Sequence, residues 1–348
     1  MKILITGMNK NQITKDFYLR QQLKVIPSHY SLIRCFEDMG YEVEQRIVNI
    51  GEDLSEYHRV ICFLASPRQA LQLSFYNGLW AIHATPKENL VLAYDDWQTE
   101  DIFKGIQSCV DKESLLKEFT ITQNKTCDPT ISREVLEPYT DALLDAVKYI
   151  GEKKSPMLIS AFAGGDLSLL IDYPKELLYS YNPNPYHFNR QAAPSLFGKE
   201  RVFNFAGLVQ SKTKKWLKEQ KVEETGWPLK KYGSRKDGQD RVTEDVMVDL
   251  YGQQWGILMP GYFHAGSAWW RARPLQVADA GSILIGDYKE TILLYKNEEA
   301  ASVKASDLKN MTDSELEALA KLQRDCLYKA HPLDKEIQQM ELRKILNS

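Results

Sequence analysis

Residues 255–287, WGILMPGYFHAGSAWWRARPLQVADAGSILIGD, constrain the fold of this chain more than any other stretch. The apolar run at 256–259 predicts a buried strand, residues 271–280 have helical spacing, and 282–285 predict a second buried strand. A strand, a loop, a helix and a strand in this order are typical of a parallel α/β sheet. Ligands bind beyond the carboxyl ends of the strands in such sheets. We therefore expect Arg271, Arg273 and Gln276 to lie beside an anionic, nucleotide-like ligand.

The first half of the chain alternates between strands and helices in the same way. Strands are predicted at residues 2–6, 41–48, 59–65, 90–94 and 157–162, and helices at 27–39 and 70–81. The runs at 59–65 and 90–94 are continuously apolar, which is typical of strands buried on both faces of a parallel sheet. Asp95 and Asp96 follow the second of these runs directly, so we expect both carboxylates at the mouth of a cleft.

A stretch rich in Tyr, Asn and Pro, residues 177–194, is predicted to be a linker to a second domain. Beyond it, a strand ends in Gly207 and residues 211–221 form a predicted basic helix whose first amides face the cleft. The stretch 312–346 is predicted to be helical, and Thr312 with Glu315 fits a capping box at its start.

Length and composition indicate a globular chain with room for two domains. It has 348 residues, 43% of them hydrophobic and 26% charged, and no apolar run reaches the roughly 18 residues of a membrane span. The first residues are too quickly polar for a signal peptide, so we expect a cytoplasmic protein without membrane contact. The five cysteines show no C-x-x-C spacing, which predicts neither a disulfide framework nor a zinc site.

Charge is unevenly distributed along the chain. The formal net charge of −3 argues against a protein that coats nucleic acid generally. Residues 199–241, in contrast, carry twelve basic side chains against six acidic ones. Such a stretch suits a phosphate-bearing partner, and a solvated helix surface accounts for it equally well.

Several segments, in their order and spacing, resemble one known family. They are MKILITG, VIPSHYSLIRCFEDMGYEV, LVLAYDD, SPMLISAFAGGDL, FNFAGLVQSKTKK, KKYGS and RPLQVADAGSILI. Together these segments resemble the phage DNA β-glucosyltransferases, GT-B enzymes that glycosylate 5-hydroxymethylcytosine in DNA with a UDP-sugar. The resemblance implies an α/β protein with two Rossmann-like domains facing an interdomain cleft. It places the acceptor domain at 1–176, the donor domain at 177–324, and a C-terminal helix at about 325–348 that crosses back to the first domain.

The resemblance also implies a general base on the acceptor side. The family places an aspartate after the strand that matches residues 90–94, where it takes the proton of the attacking hydroxyl. This position falls on Asp96, with Asp95 as the close alternative, and the other aspartate of the pair is expected to cap the turn. Direct displacement with inversion at the sugar is the implied reaction, and a carboxylate can supply the required base.

On the donor side the resemblance implies a diphosphate site in which Arg273 neutralises charge. Gln276 stands where the family has a glutamate for the ribose hydroxyls, and an amide oxygen can accept such bonds without charge assistance. Two family arginines are replaced by Gln210 and Lys214, so Arg271 is expected to compensate. The turns at Gly207 and Gly233 are predicted to shape the pocket.

The implied acceptor is double-stranded DNA that contains hydroxymethylated cytosine, and the protein is expected to be a monomer. Reaching the base requires its extrusion from the stack. The residues predicted to grip the DNA backbone are Lys212, Lys215, Lys230, Lys231 and Arg235. UDP-glucose is the implied donor and UDP-arabinose the alternative, with the requirement for a divalent cation left open. Two other hypotheses are a GT-B transferase acting on a small molecule or polysaccharide, and a binding module without catalysis.

Overall fold

A computed structural model describes most of the chain. The described residues are 1–7, 28–64, 72–94, 99–116, 133–160, 171–181, 198–206, 211–232, 244–260, 273–332 and 334–348. Their strands are β1 (Lys2–Thr6), β2 (Glu42–Gln45), β3 (Arg59–Phe63), β4 (Leu90–Tyr94), β5 (Met157–Ser160), β6 (Leu178–Tyr181), β7 (Glu200–Ala206), β8 (Leu229–Tyr232), β9 (Gln254–Met259) and β10 (Ile283–Gly286).

The helices of the described residues follow in chain order. They are α1 (Ser28–Asp38), α2 (Gln72–Ala84), α3 (Thr99–Gln107), α4 (Arg133–Leu136), α5 (Thr140–Gly151), α6 (Ser211–Glu219), α7 (Glu244–Gln253), α8 (Arg273–Asp279), α9 (Tyr288–Tyr295), α10 (Glu298–Ala301), α11 (Asp313–Ala330) and α12 (Lys335–Leu346). The chain forms two compact units. The first holds β1–β6, α1–α5 and α12, and the second holds β7–β10 and α6–α11.

The first unit is built on a six-stranded sheet of order β2-β1-β3-β4-β5-β6, in which every pairing is parallel. All residues of β3 and β4 are buried, as their continuous apolar sequences predict. The chain builds outward from β1 to β2 on one side and from β1 to β3 on the other. The topological switch point, where ligands bind in open α/β sheets, therefore lies between the carboxyl ends of β1 and β3.

The second unit is built on a four-stranded parallel sheet of order β10-β9-β7-β8. Its switch point lies between β7 and β9, because β8 and β9 pair with opposite edges of β7. One face of this sheet packs into an apolar cluster. The buried aromatic side chains of that cluster are Phe203, Phe205, Trp227 and Trp255.

Helix α12 follows the second unit in sequence and packs in the first. It contacts α1 and β6, and Leu342, Ile345 and Leu346 are buried on its inner face. Helix α11 begins with the predicted capping box, since Thr312 accepts from the backbone N–H of Glu315 and Glu315 accepts from that of Thr312.

The sequence prediction was wrong at one segment that matters for the first sheet. Residues 177–194 were expected to form a linker, but Leu178–Tyr181 is the edge strand β6, which pairs in parallel with β5. Only Tyr181 of this strand is fully buried. A short, half-buried edge strand lacks the apolar run that identifies β3 and β4, so its tyrosines resemble a polar connection.

Candidate functional site

Arg273 marks the candidate donor site in the second unit. It is the first residue of α8, and its Nη1 donates a hydrogen bond of 2.7 Å to the carbonyl oxygen of Ala206. Ala206 is the last residue of β7, so this bond places the guanidinium at the carboxyl end of the switch-point strand. The bond uses one of the five N–H donors of the guanidinium. A cation at this place can hold an anionic group beyond the sheet edge.

Helix α6 is the first helix after β7 in the sequence. Helix α6 begins five residues after β7 ends, so its first backbone amides are supplied close to the carboxyl edge of the sheet. Lys214, in the first turns of α6, has an exposed side chain. A helix start with a lysine at this edge suits a phosphate group.

Gln276 lies one turn beyond Arg273 on α8, and its side chain is almost fully buried, with 2% exposed. Leu275 and Val277 beside it are buried as well. The structure therefore places this amide inside the second unit, at the middle of the helix that begins with Arg273. Its predicted contact with the ribose stays a prediction.

The predicted acceptor side begins at Tyr94, the last residue of β4, which lies between β3 and β5. Tyr94 is 1% exposed, and within the described residues its hydroxyl has no hydrogen-bond partner. Burial is the main cause that raises the pKa of this phenol well above its usual range. Tyr94 therefore marks the carboxyl end of a strand in the central part of the sheet.

A polar network at the switch point of the first unit was not predicted. Thr6 at the end of β1 donates to Asn77 Oδ1 at 3.0 Å, and Asn77 Nδ2 donates to the carbonyl oxygen of Val48 at 2.8 Å. Both polar side chains are buried. These bonds join β1 to α2 and to the segment after β2. No local signal marked Asn77, because its partners lie 71 and 29 residues away.

The lysines of the basic stretch at residues 199–241 differ in their exposure and in their salt bridges. Lys230 pairs with Glu200 at 2.9 Å, and Lys215 lies 3.9 Å from Glu219. Lys231 is exposed and, among the described residues, makes no salt bridge. Lys199 points inward, and burial lowers the pKa of its ammonium to about 8. Lys199 therefore contributes less to a basic face than an exposed lysine does.

Several predicted site residues lie outside the described part of the chain. They are Asp95, Asp96, Gly207, Gln210, Gly233, Arg235 and Arg271, and for Lys212 only the backbone is described. Within the described ranges, no group of three or more His, Cys, Asp and Glu side chains could hold a metal ion. In the same ranges, none of the helices is both long and apolar enough to cross a membrane.

Comparison with known proteins gives a likeness of fold over the whole length. No protein-family model matches the chain, and no curated protein matches its sequence. Among solved structures, the phage T4 β-glucosyltransferase in complex with UDP and Mn²⁺ is similar at 15% identity with a TM-score of 0.63, and both chains are covered completely. The complex of the T4 enzyme with UDP-glucose is similar at 14% identity and the same TM-score, again with full coverage of both chains.

A third similar structure is that of the DNA-modifying enzyme β-glucosyltransferase, studied with and without uridine diphosphoglucose. It is 14% identical with a TM-score of 0.58, and it too is covered completely, as is this chain. These similarities confirm the GT-B fold class that the sequence predicts.

Proposed function

We propose that this chain transfers a sugar from a UDP-sugar to the hydroxymethyl group of 5-hydroxymethylcytosine in DNA. The observation that carries the proposal is the hydrogen bond between Arg273 and Ala206 O, which fixes a guanidinium at the switch point of the second sheet. The full-length likeness to structures that bind UDP or UDP-glucose supports a nucleotide-sugar ligand at that place.

In the proposed reaction, the hydroxymethyl oxygen attacks the anomeric carbon of the donor. The new C–O bond forms as the bond between that carbon and the diphosphate breaks, and UDP leaves with the electron pair. The hydroxyl proton passes to the carboxylate of Asp96, or of Asp95 as the alternative. Arg273 stabilises the negative charge that grows on the leaving diphosphate, and Arg271 and Lys214 add further positive charge. Displacement from the opposite face inverts the anomeric configuration.

Two donor sugars, glucose and arabinose, are compatible with the proposed nucleotide site. Gln276 and Gln210 are neutral where the resemblance implies charged groups, so the pocket differs in charge from that of the family. UDP-glucose and UDP-arabinose are therefore both tested as donors. The panel of UDP-sugars described below decides between the two.

DNA binding is proposed for the lysines that remain exposed on α6 and β8. Lys215 and Lys231 have exposed side chains and can contact phosphates, whereas Lys230 is shared with Glu200. Contact with the backbone would hold the duplex while the target nucleotide is extruded. Affinity for duplex DNA should therefore fall steeply with salt.

The decisive experiment incubates the protein with duplex DNA containing hydroxymethylcytosine and a panel of UDP-sugars, followed by mass analysis of the nucleosides. We expect the mass of one sugar residue on hydroxymethylcytosine, and none on matched DNA that contains cytosine. Asp96→Asn combined with Asp95→Asn should abolish transfer, and Arg273→Met should weaken donor use. Arg343→Met, an exposed residue of α12, is the matched control and should behave as the wild type. Absence of a mass gain with every donor would contradict the proposal.

A further inference from the structure

The helix that carries Arg273 is too short to hold its own position. Helix α8 has seven residues, Arg273–Asp279, and isolated helices need roughly 12–15 residues to be even marginally stable in water. Its orientation therefore depends on contacts with its surroundings. The direction of the Arg273 guanidinium depends on the same contacts.

Both ends of α8 are bonded to the two ends of one strand, β7. At the start of the helix, Arg273 donates to the carbonyl oxygen of Ala206, the last residue of β7. Beyond its end, the carbonyl oxygen of Ala280 accepts a bond of 2.7 Å from Nζ of Lys199, the residue directly before β7. Helix α8 thus lies along β7 with its amino end at the carboxyl edge of the sheet.

Lys199 joins this helix end to a wider set of bonds. Its Nζ also donates to Ser282 Oγ at 2.6 Å, and the single hydroxyl proton of Ser282 is shared between the carbonyl oxygens of Tyr251 and Gln254. The ammonium lies 5.4 Å from the centre of the Trp255 ring. A cation at the carboxyl end of a helix also complements the helix dipole.

A second contact fixes the same end from another side. The hydroxyl of Tyr328, on α11, donates to the carboxylate of Asp279, the last residue of α8. Helix α11 is long and has a capped start, so it offers a firm support. Lys199 and Tyr328 therefore restrain the end of α8 that lies opposite Arg273.

We propose that Lys199 is a positioning residue for the nucleotide-sugar, which acts with Tyr328 by holding α8 so that Arg273 meets the diphosphate. The inference rests on the proposed function, because it assumes that Arg273 binds the diphosphate. Partial burial of the Lys199 ammonium costs free energy, and a role in holding α8 explains why the side chain keeps this position. Lys199 itself makes no contact with the donor in this proposal.

The test measures the dissociation constant for UDP by calorimetry on the full chain. Lys199→Met keeps the unbranched stem and removes the ammonium, and we expect it to weaken UDP binding about 5-fold to 20-fold. Arg273→Met should weaken binding more. In the double variant, Lys199→Met should add less than about 2-fold, because a residue that acts through Arg273 has no effect once Arg273 is gone.

Thr291→Val is the control for general loss of stability. Thr291 is buried on α9, and its hydroxyl donates to the carbonyl oxygen of Ala301 at 2.7 Å. Its loss should lower the free energy of unfolding and leave UDP affinity within about 2-fold, since neither residue lies on α8 or α11. Should Lys199→Met fail to fold, Tyr328→Phe removes the other restraint and should show the same non-additivity with Arg273→Met.

The outcomes separate the two proposals. A folded wild-type protein without affinity for UDP would contradict the proposed function. If the wild type binds UDP and Arg273→Met weakens it, while Lys199→Met binds normally or its effect adds fully to that of Arg273→Met, the positioning role is wrong and the proposed function stands.

Discussion

Gly7 lies directly against the main chain of Phe63. A Cβ atom on residue 7 would come within 2.1 Å of the Phe63 carbonyl oxygen, and Gly7 has a φ of +81°. The turn after β1 therefore passes over the end of β3 at the switch point of the first sheet. A side chain is excluded here both by the backbone conformation and by the lack of space.

Gly7→Ala should accordingly lower the free energy of unfolding by about 3 kcal/mol or more, from left-handed strain and overpacking together. The matched control is Gly40→Ala, because Gly40 has a φ of +85° but nothing within 4 Å of an added Cβ. That variant should lose only about 1 kcal/mol. Urea unfolding of both variants measures the difference. Equal losses would show that the contact with Phe63 carries no cost.

Tyr94→Phe should leave stability unchanged or raise it by about 1 kcal/mol, because the variant removes a buried hydroxyl that has no partner in the described structure. Tyr173→Phe is the comparison, since the Tyr173 hydroxyl donates to the Ser155 carbonyl at 2.7 Å. It should lose about 1 kcal/mol. Thermal unfolding of the two variants gives the sign of each change. A loss in Tyr94→Phe as large as that in Tyr173→Phe would mean that the Tyr94 hydroxyl is bonded in solution.

Lys231→Gln should weaken binding to duplex DNA. The negative slope of log affinity against log salt should become shallower by about 0.9, the value for one phosphate contact. Lys230→Gln should change the slope less, because Glu200 competes with phosphate for this ammonium at 2.9 Å. Fluorescence anisotropy titrations at several salt concentrations measure both slopes. The same fall in both variants would contradict a role for Glu200.

Lys199 should make stability depend on pH. Burial lowers the pKa of its ammonium from 10.5 to about 8 in the folded chain. Between these values the unfolded chain holds a proton that the folded chain has lost, so the contribution to stability rises as the pH rises from about 8 to about 10.5. Urea unfolding of the wild type and Lys199→Met at pH 7, 8.5 and 10 tests this. The free energy of unfolding of the wild type should rise relative to that of the variant as the pH rises. A constant difference would show that Lys199 keeps its ordinary pKa.

The sequence predicted those elements whose signals are local. The apolar runs of β3, β4 and β9 and the capping box at Thr312 each lie within a few residues, and the structure has them all. The short helices α9 and α10 have local caps, since Asp287 and Asn297 accept from the backbone N–H groups of Lys289 and Ala300, but eight and four residues are too few to show helical apolar spacing. The edge strand β6 has no continuous apolar run, and it is stable through packing on its unit.

The site could be predicted only as residue types near a sheet edge. Arg273 was expected there from its place after a strand, but its bond to Ala206 spans 67 residues. The inward direction of Lys199 depends on Ala280 and Ser282, which are 81 and 83 residues away. The two residues that follow it, Glu200 and Arg201, are charged, so the local pattern indicated a surface lysine. Contacts over such separations follow from the completed sheet and not from any short segment.

The return of α12 to the first unit sets an order for biosynthesis. The ribosome completes the sheet β1–β6 early, yet the helix that covers β6 and α1 emerges only after the whole second unit has been made. The apolar surface that α12 covers therefore stays exposed in the nascent first unit while β7–β10 are translated. Chaperone binding to the growing chain should therefore persist until α12 leaves the exit tunnel.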